Sequence, residues 1–163
     1  MVQSLWSFYL KIAVSGAGLK KAILSEADLS GANLIGVDLN GVILKQANLS
    51  AAHLSGAHLV GADLYEANLT EADLSGAKLW RADLRKAMLC GSNLSRANLN
   101  EANLSEANLS GANLSGAKLS RANLSQTNLA EVNLHRANLA EAKLILARLC
   151  AANLKRTELT WPR

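Results

Sequence analysis

Residues 101–120 read EANLSEANLSGANLSGAKLS, and within them the pattern Ala-x-Leu returns every five residues. The same register runs without a gap from Leu19 to Leu159, which makes 29 consecutive leucines at that spacing. Ala stands two places before Leu in 23 repeats; the exceptions, Val37, Val42, Ser92, Thr127, Val132 and Thr157, are small or β-branched. Between the two lies Asn or Asp in 18 repeats. Two freer positions follow each leucine, the first rich in Ser and the second in Gly, Glu or Arg.

A period of five suits neither regular element. On an α-helix five residues turn through about 500°, so successive leucines advance by about 140° and smear around the cylinder. On a straight strand an odd step sends successive leucines to opposite faces. The pattern becomes coherent when each repeat is a short extended piece followed by a bend. Ala and Leu, two apart, then face one side and the intervening Asn or Asp the other. Nine of the eleven glycines fall on the second corner position, Gly31 and Gly111 among them, which suits a turn residue with φ > 0. A chain that bends the same way every five residues must coil. Its coils stack about 4.8 Å apart through backbone hydrogen bonds, with Leu and Ala columns inside and Asn and Ser ladders outside.

This array of Ala-(Asn/Asp)-Leu-x-x resembles the pentapeptide repeat family over residues 17–161, and long leucine-only arrays of this kind are similar to those abundant in cyanobacteria. The resemblance implies an all-β fold, a right-handed quadrilateral (four-sided) β-helix solenoid with four repeats in each of about seven coils, roughly 35 Å long at the strand spacing. Charges at the second corner position do not choose the number of sides. Five opposite pairs stand against one like pair at a separation of twenty, and five against two at fifteen. The four sides therefore rest on the resemblance. We expect residues 1–16 to form an N-terminal cap, 17–161 the β-helix and 162–163 a tail. Burying one Leu yields about 1.5–3 kcal/mol, whereas fixing five backbone residues costs about 5–10 kcal/mol, so a lone repeat cannot fold and neighbouring coils must supply the rest.

Composition narrows the function. The chain of 163 residues has 17 basic and 13 acidic side chains, a net charge of +4 without a run of like charge. No stretch approaches the roughly 20 apolar residues of a membrane span, and the N-terminal LWSFYLKIAV makes a poor signal peptide, so a cytoplasmic location is expected. Cys90 and Cys150 lie sixty residues apart, three coils on the implied geometry, too far for a bridge. His53 and His58 stand on different faces; Asp38, Asp63 and Asp73 are the further ligands by register, but a solvated surface accounts for them better than a metal site. Ser is abundant because corners favour it, with no base beside any one of them, and there is no phosphate loop. The expectation is a chain without catalytic, cofactor or metal residues.

What remains is surface. Val60 and Trp80 share one column, with Tyr65 around the corner, and form a candidate partner surface. Arg96, Arg136, Lys155 and Arg156 form a candidate anion patch on a face that is net positive. Ile145, Leu146 and Trp161 mark a candidate dimer end, as the resemblance implies for members that pair through this end. The reading is a rigid protein-interaction scaffold binding another protein, with homodimerisation through the last coil. Quinolone-resistance members of the family, thought to mimic DNA and occupy gyrase, supply the alternative of a topoisomerase modulator. A charge of +4 disfavours it, and nucleic acid is not the expected partner of the basic face, whose four cations give only modest, salt-sensitive affinity.

Overall fold

The computed structural model describes residues 19–160; the expected cap at 1–16, Trp161 and the tail at 162–163 lie outside the described residues. Every β-bridge is parallel and joins residues twenty apart, from Ile23 with Ile43 to Asn138 with Glu158. One circuit of the chain therefore consumes four repeats, a register that corner charges alone could not distinguish from fifteen. No helix among the described residues is long and apolar enough to cross a membrane.

One repeat accounts for all of its backbone donors. Asn108 N–H reaches back to Ala87 O (3.0 Å), Leu109 N–H forward to Asn128 O (2.8 Å) and Gly111 N–H forward to Ala130 O (2.9 Å). Ala112 N–H closes the turn on Leu109 O at 3.0 Å. Only the Ser110 N–H has no ladder partner, and it donates to Oδ1 of Asn108 at 3.1 Å. Wherever Asn or Asp stands before the leucine it is thus the acceptor that completes the turn, as in an Asx motif. After His58 and Lys118 the corner N–H groups of Val60 and Ser120 use Oδ1 of Asn40 and Asn100 one coil back, both at 2.9 Å. An unpaired N–H at every corner would otherwise accumulate a cost repeated along the rod.

The turn also fixes the second corner residue. All 28 such positions from Lys21 to Arg156 have φ between 52° and 67°, yet only nine are glycine. The other nineteen carry a side chain in the left-handed region, at about 1–2 kcal/mol each relative to ordinary backbone. From Lys21 to Glu141 the ladder holds them there, because the same N–H bonds the next coil; Leu146, Ala151 and Arg156 in the last described coil keep the same φ without that bond.

Inside, the leucines from Leu29 to Leu139 are buried beside the small residues of the Ala column. Where that column carries a hydroxyl, the group is satisfied: Ser92 donates to Leu89 O (2.8 Å) and Thr127 to Leu104 O (2.9 Å). Burial fades at both ends. Leu19, Leu24, Leu144 and Leu149 are partly covered, while Leu154 and Leu159 are 41% and 44% exposed.

Candidate functional site

The twenty-residue register stacks the corner residues into four columns, and two neighbouring columns hold the candidate partner surface. One runs through Val60, Trp80–Arg81 and Glu101; the next runs through Lys45, Tyr65–Glu66 and Arg85–Lys86. Asp63 and Asp83 are bridged to each other on the face between them. Val60 and Trp80 do lie in adjacent coils, with the Gly61 N–H donating to Trp80 O at 2.9 Å. Trp80 is 36% exposed, whereas Val60 and Tyr65 are half-buried.

Cations organise the patch. The Arg81 guanidinium sits 4.2 Å from the Trp80 ring centre, and Arg85 and Lys86 lie 5.3 and 5.8 Å from that of Tyr65. Each cation is also held by a carboxylate: Arg81 by Glu101 (2.8 Å), Arg85 by Asp83 (2.7 Å) and Lys86 by Glu66 (4.0 Å), with Lys45 on Asp63 at 3.2 Å. The sequence reading found the aromatic residues and missed this cationic frame. Register would have shown it, because residues 60–66 and 80–86 are aligned twenty apart.

The frame sets protonation. The Gln46 amide, 2.8 Å away, and then the Tyr65 hydroxyl hold Glu66 below the ordinary carboxylate range. The Tyr65 hydroxyl likewise keeps the Lys86 ammonium above the usual lysine range. Burial alone pushes Asp83 up, but hydrogen bonds from the Arg85 side chain and backbone N–H outweigh it and hold the carboxyl low.

The other candidates fall elsewhere. Arg96, Arg136 and Arg156 share a third column, with Lys155 beside the last, and all four are exposed. Gly116 separates Arg96 from Arg136, and the Arg96 stem leans over it. Ile145 and Leu146 are 66% and 76% exposed at the last described coil, together with Leu154 and Leu159. His58 stacks on Lys78, with 3.0 Å between its Nε2 and the lysine Nζ, and no group of three His, Cys, Asp or Glu among the described residues converges as a metal site. Cys90 and Cys150 are free thiols three coils apart in the remaining column. Of the five opposite pairs expected at a separation of twenty, three are ion pairs: Arg81–Glu101, Glu66–Lys86 and Arg121–Glu141.

Comparison with known proteins agrees with this architecture. The model of the family "Pentapeptide repeats" matches in eight copies through residues 15–50, 43–81, 81–116 and 117–156. HetL from the cyanobacterium Nostoc sp. strain PCC 7120, a protein involved in heterocyst differentiation regulation, is 34% identical, with a TM-score of 0.54 over 86% of this chain and 84% of its own. Rfr23 from the cyanobacterium Cyanothece 51142 is 33% identical over 66% of this chain and 64% of its own, with a TM-score of 0.38. QnrB1, a plasmid-mediated fluoroquinolone resistance protein, is 22% identical over 85% of this chain and 77% of its own, with a TM-score of 0.47. No curated protein matches the chain. The repeat, its twenty-residue ladder and the family match together make this chain a member of the pentapeptide repeat family.

Proposed function

We propose that this chain is a non-enzymatic interaction scaffold, a right-handed, four-sided rod of about seven coils that seats another protein on its Val60, Tyr65 and Trp80 corners. One observation carries the reading. The two aromatic side chains of the described residues occupy neighbouring corners, each beside a cation anchored by a carboxylate. Trp, Tyr and Arg are the residues on which binding energy concentrates, and side chains already held in place lose less entropy on binding. HetL, involved in heterocyst differentiation regulation, supports a regulatory role for a rod of this kind. The test is quantitative affinity capture with the wild-type chain, Trp80→Ala and a distant control, Ser125→Ala. A partner lost with Trp80→Ala and kept by the control is expected; retention of every partner by Trp80→Ala removes the assignment.

A second surface favours self-association. Ile145, Leu146, Leu154 and Leu159 expose an apolar end at the last described coil, which a second copy would cover. Lys143, Arg148, Lys155 and Arg156 ring that end against Glu141 and Glu158, a surplus of two cations per copy that a two-fold dimer would bring together. Gyrase-directed DNA mimicry is disfavoured, because a chain of net charge +4 lacks the anionic field such mimicry needs; inhibition or protection in a supercoiling assay would reinstate it.

A further inference from the structure

The chain's surplus charge is concentrated. The corner with Arg96, His135–Arg136 and Lys155–Arg156, with the face that follows it at Asn98, Lys118, Asn138 and Glu158, holds five cations against one carboxylate. That is a surplus of four. The whole chain has 17 basic and 13 acidic residues, also a surplus of four, so outside the strip the charges balance at twelve each. None of the strip's five cations enters an ion pair among the described residues, unlike Arg81, Arg85, Lys86 and Arg121 elsewhere.

The face on the other side of this corner is a ladder of amides with one polarity. Nδ2 of Asn93 donates to Asp73, Asn113 to Asn93, Asn133 to Asn113 and Asn153 to Asn133, at 3.0, 3.4, 3.3 and 3.1 Å. The Oδ1 atoms of Asn93, Asn113 and Asn133 also accept the N–H of Ser95, Ser115 and His135. That turn bond fixes which way each amide points. Both lone pairs of each of the three oxygens are then used, while every Nδ2 keeps a second hydrogen. Toward solvent the ladder offers donors.

We propose that this strip and amide ladder dock an acidic α-helix of a partner protein. Donor-only amides beside unpaired guanidinium and ammonium groups select carboxylate oxygens. The spacing selects a helix. Coils rise about 4.8 Å and helical turns about 5.4 Å, so glutamates one turn apart drift only about 2 Å over the three coils from Arg96 to Arg156. Arg and Lys stems absorb that drift. Same-face residues of an extended strand, about 6.7 Å apart, lose the register within two coils. No Phe, Tyr or Trp lies on this strip to stack a base, which leaves a nucleic acid its phosphates and only His135 and the guanidinium planes for stacking.

The test uses fluorescence anisotropy and three labelled probes. They are an alanine-rich helix of about 20 residues with glutamates in one stripe, the same composition dispersed around the helix, and a DNA duplex of about 20 base pairs. The striped helix binds at least about tenfold tighter than the dispersed one, and the double variant Arg136→Glu, Arg156→Glu removes that advantage. Asn113→Asp with Asn133→Asp weakens the striped helix several-fold, read on protein whose far-UV circular dichroism matches the wild type; Asp63 and Asp83 already stack twenty apart, there held by Lys45 and Arg85. Trp80→Ala leaves binding unchanged, so this surface stands or falls apart from the proposed scaffold patch. Equal binding of the two helices, or indifference to charge reversal, overturns the proposal. Tighter binding to the duplex, with a log–log salt slope near about −4, also overturns it, in favour of phosphate.

Discussion

Asn108 offers a sharp test of what the outward asparagines do. Its Oδ1 accepts the Ser110 N–H at 3.1 Å and the Asn128 Nδ2–H at 3.0 Å. Asn108→Ala removes the one acceptor of both bonds from a half-buried site that water reaches in part. At a net of about 0.5–1.5 kcal/mol for each bond, the loss is about 1–3 kcal/mol. Asn108→Asp keeps the acceptor for both donors. It gives up nothing below, because Met88, one coil earlier, offers its amide no acceptor, so the change stays within about 0.5 kcal/mol. Met88→Asn acts in the opposite sense, supplying an acceptor for the Cys90 N–H and joining the Asn68 and Asn108 columns, with a gain of about 1 kcal/mol. Urea unfolding followed by far-UV circular dichroism measures the midpoints, with unchanged slopes as the control. If Asn108→Ala unfolds with the wild type, or Asn108→Asp is as costly as Asn108→Ala, the turn-closing role is wrong.

Other outcomes follow from the same geometry. Leu99→Ala, at a fully buried position in the middle of the stack, costs about 2–5 kcal/mol by the same unfolding measurement. Gly111→Ala meets no atom within 4 Å but keeps φ at +67°, so the loss in thermal unfolding is that of left-handed backbone alone, about 1 kcal/mol. Asp83 is held below its unfolded value, so its contribution is complete above the unfolded pKa and is lost as pH falls through the lower folded one. Stability measured from pH 5 to about 2 should therefore decline less in Asp83→Asn than in the wild type. A dimer through the last described coil, if sedimentation detects one, tightens with added salt as the facing cations are screened, and Leu146→Glu abolishes it.

The dry interior was legible because Ala and Leu are two apart and recur every five, which leaves one way to face both inward. The number of repeats per coil was not. Corner charges such as Glu66 pair with Lys86 at a separation of twenty but match Arg81 equally well at fifteen, and only the backbone ladder decides. Asparagine was read as an outward ladder and is that, but its first duty is local. The signal was present in the spacing, since Asn or Asp stands two residues before the corner residue whose N–H has no coil to bond. Glycine was correctly placed at left-handed corners. That Glu101, Arg121 and Glu141 adopt the same backbone could have been inferred from their shared register, had the ladder's hold on the second corner N–H been known. Of the candidate surfaces, Trp80 and Tyr65 were visible as departures from a polar rule. Their cations were hidden because Arg81, Arg85 and Lys86 obey that rule individually and matter only in combination.

The twenty-residue ladder also bears on how such a gene can change length. Deleting one five-residue unit leaves every downstream Leu and Ala facing inward, so the interior survives. Each downstream side chain, however, moves to the neighbouring side: Glu101 leaves Arg81, and the cations that follow the deletion no longer line up with Arg96. Gain or loss of twenty residues shortens or extends the rod with its sides in phase. Tandem duplication in whole coils is thus the change that alters reach without rewriting what the surface presents.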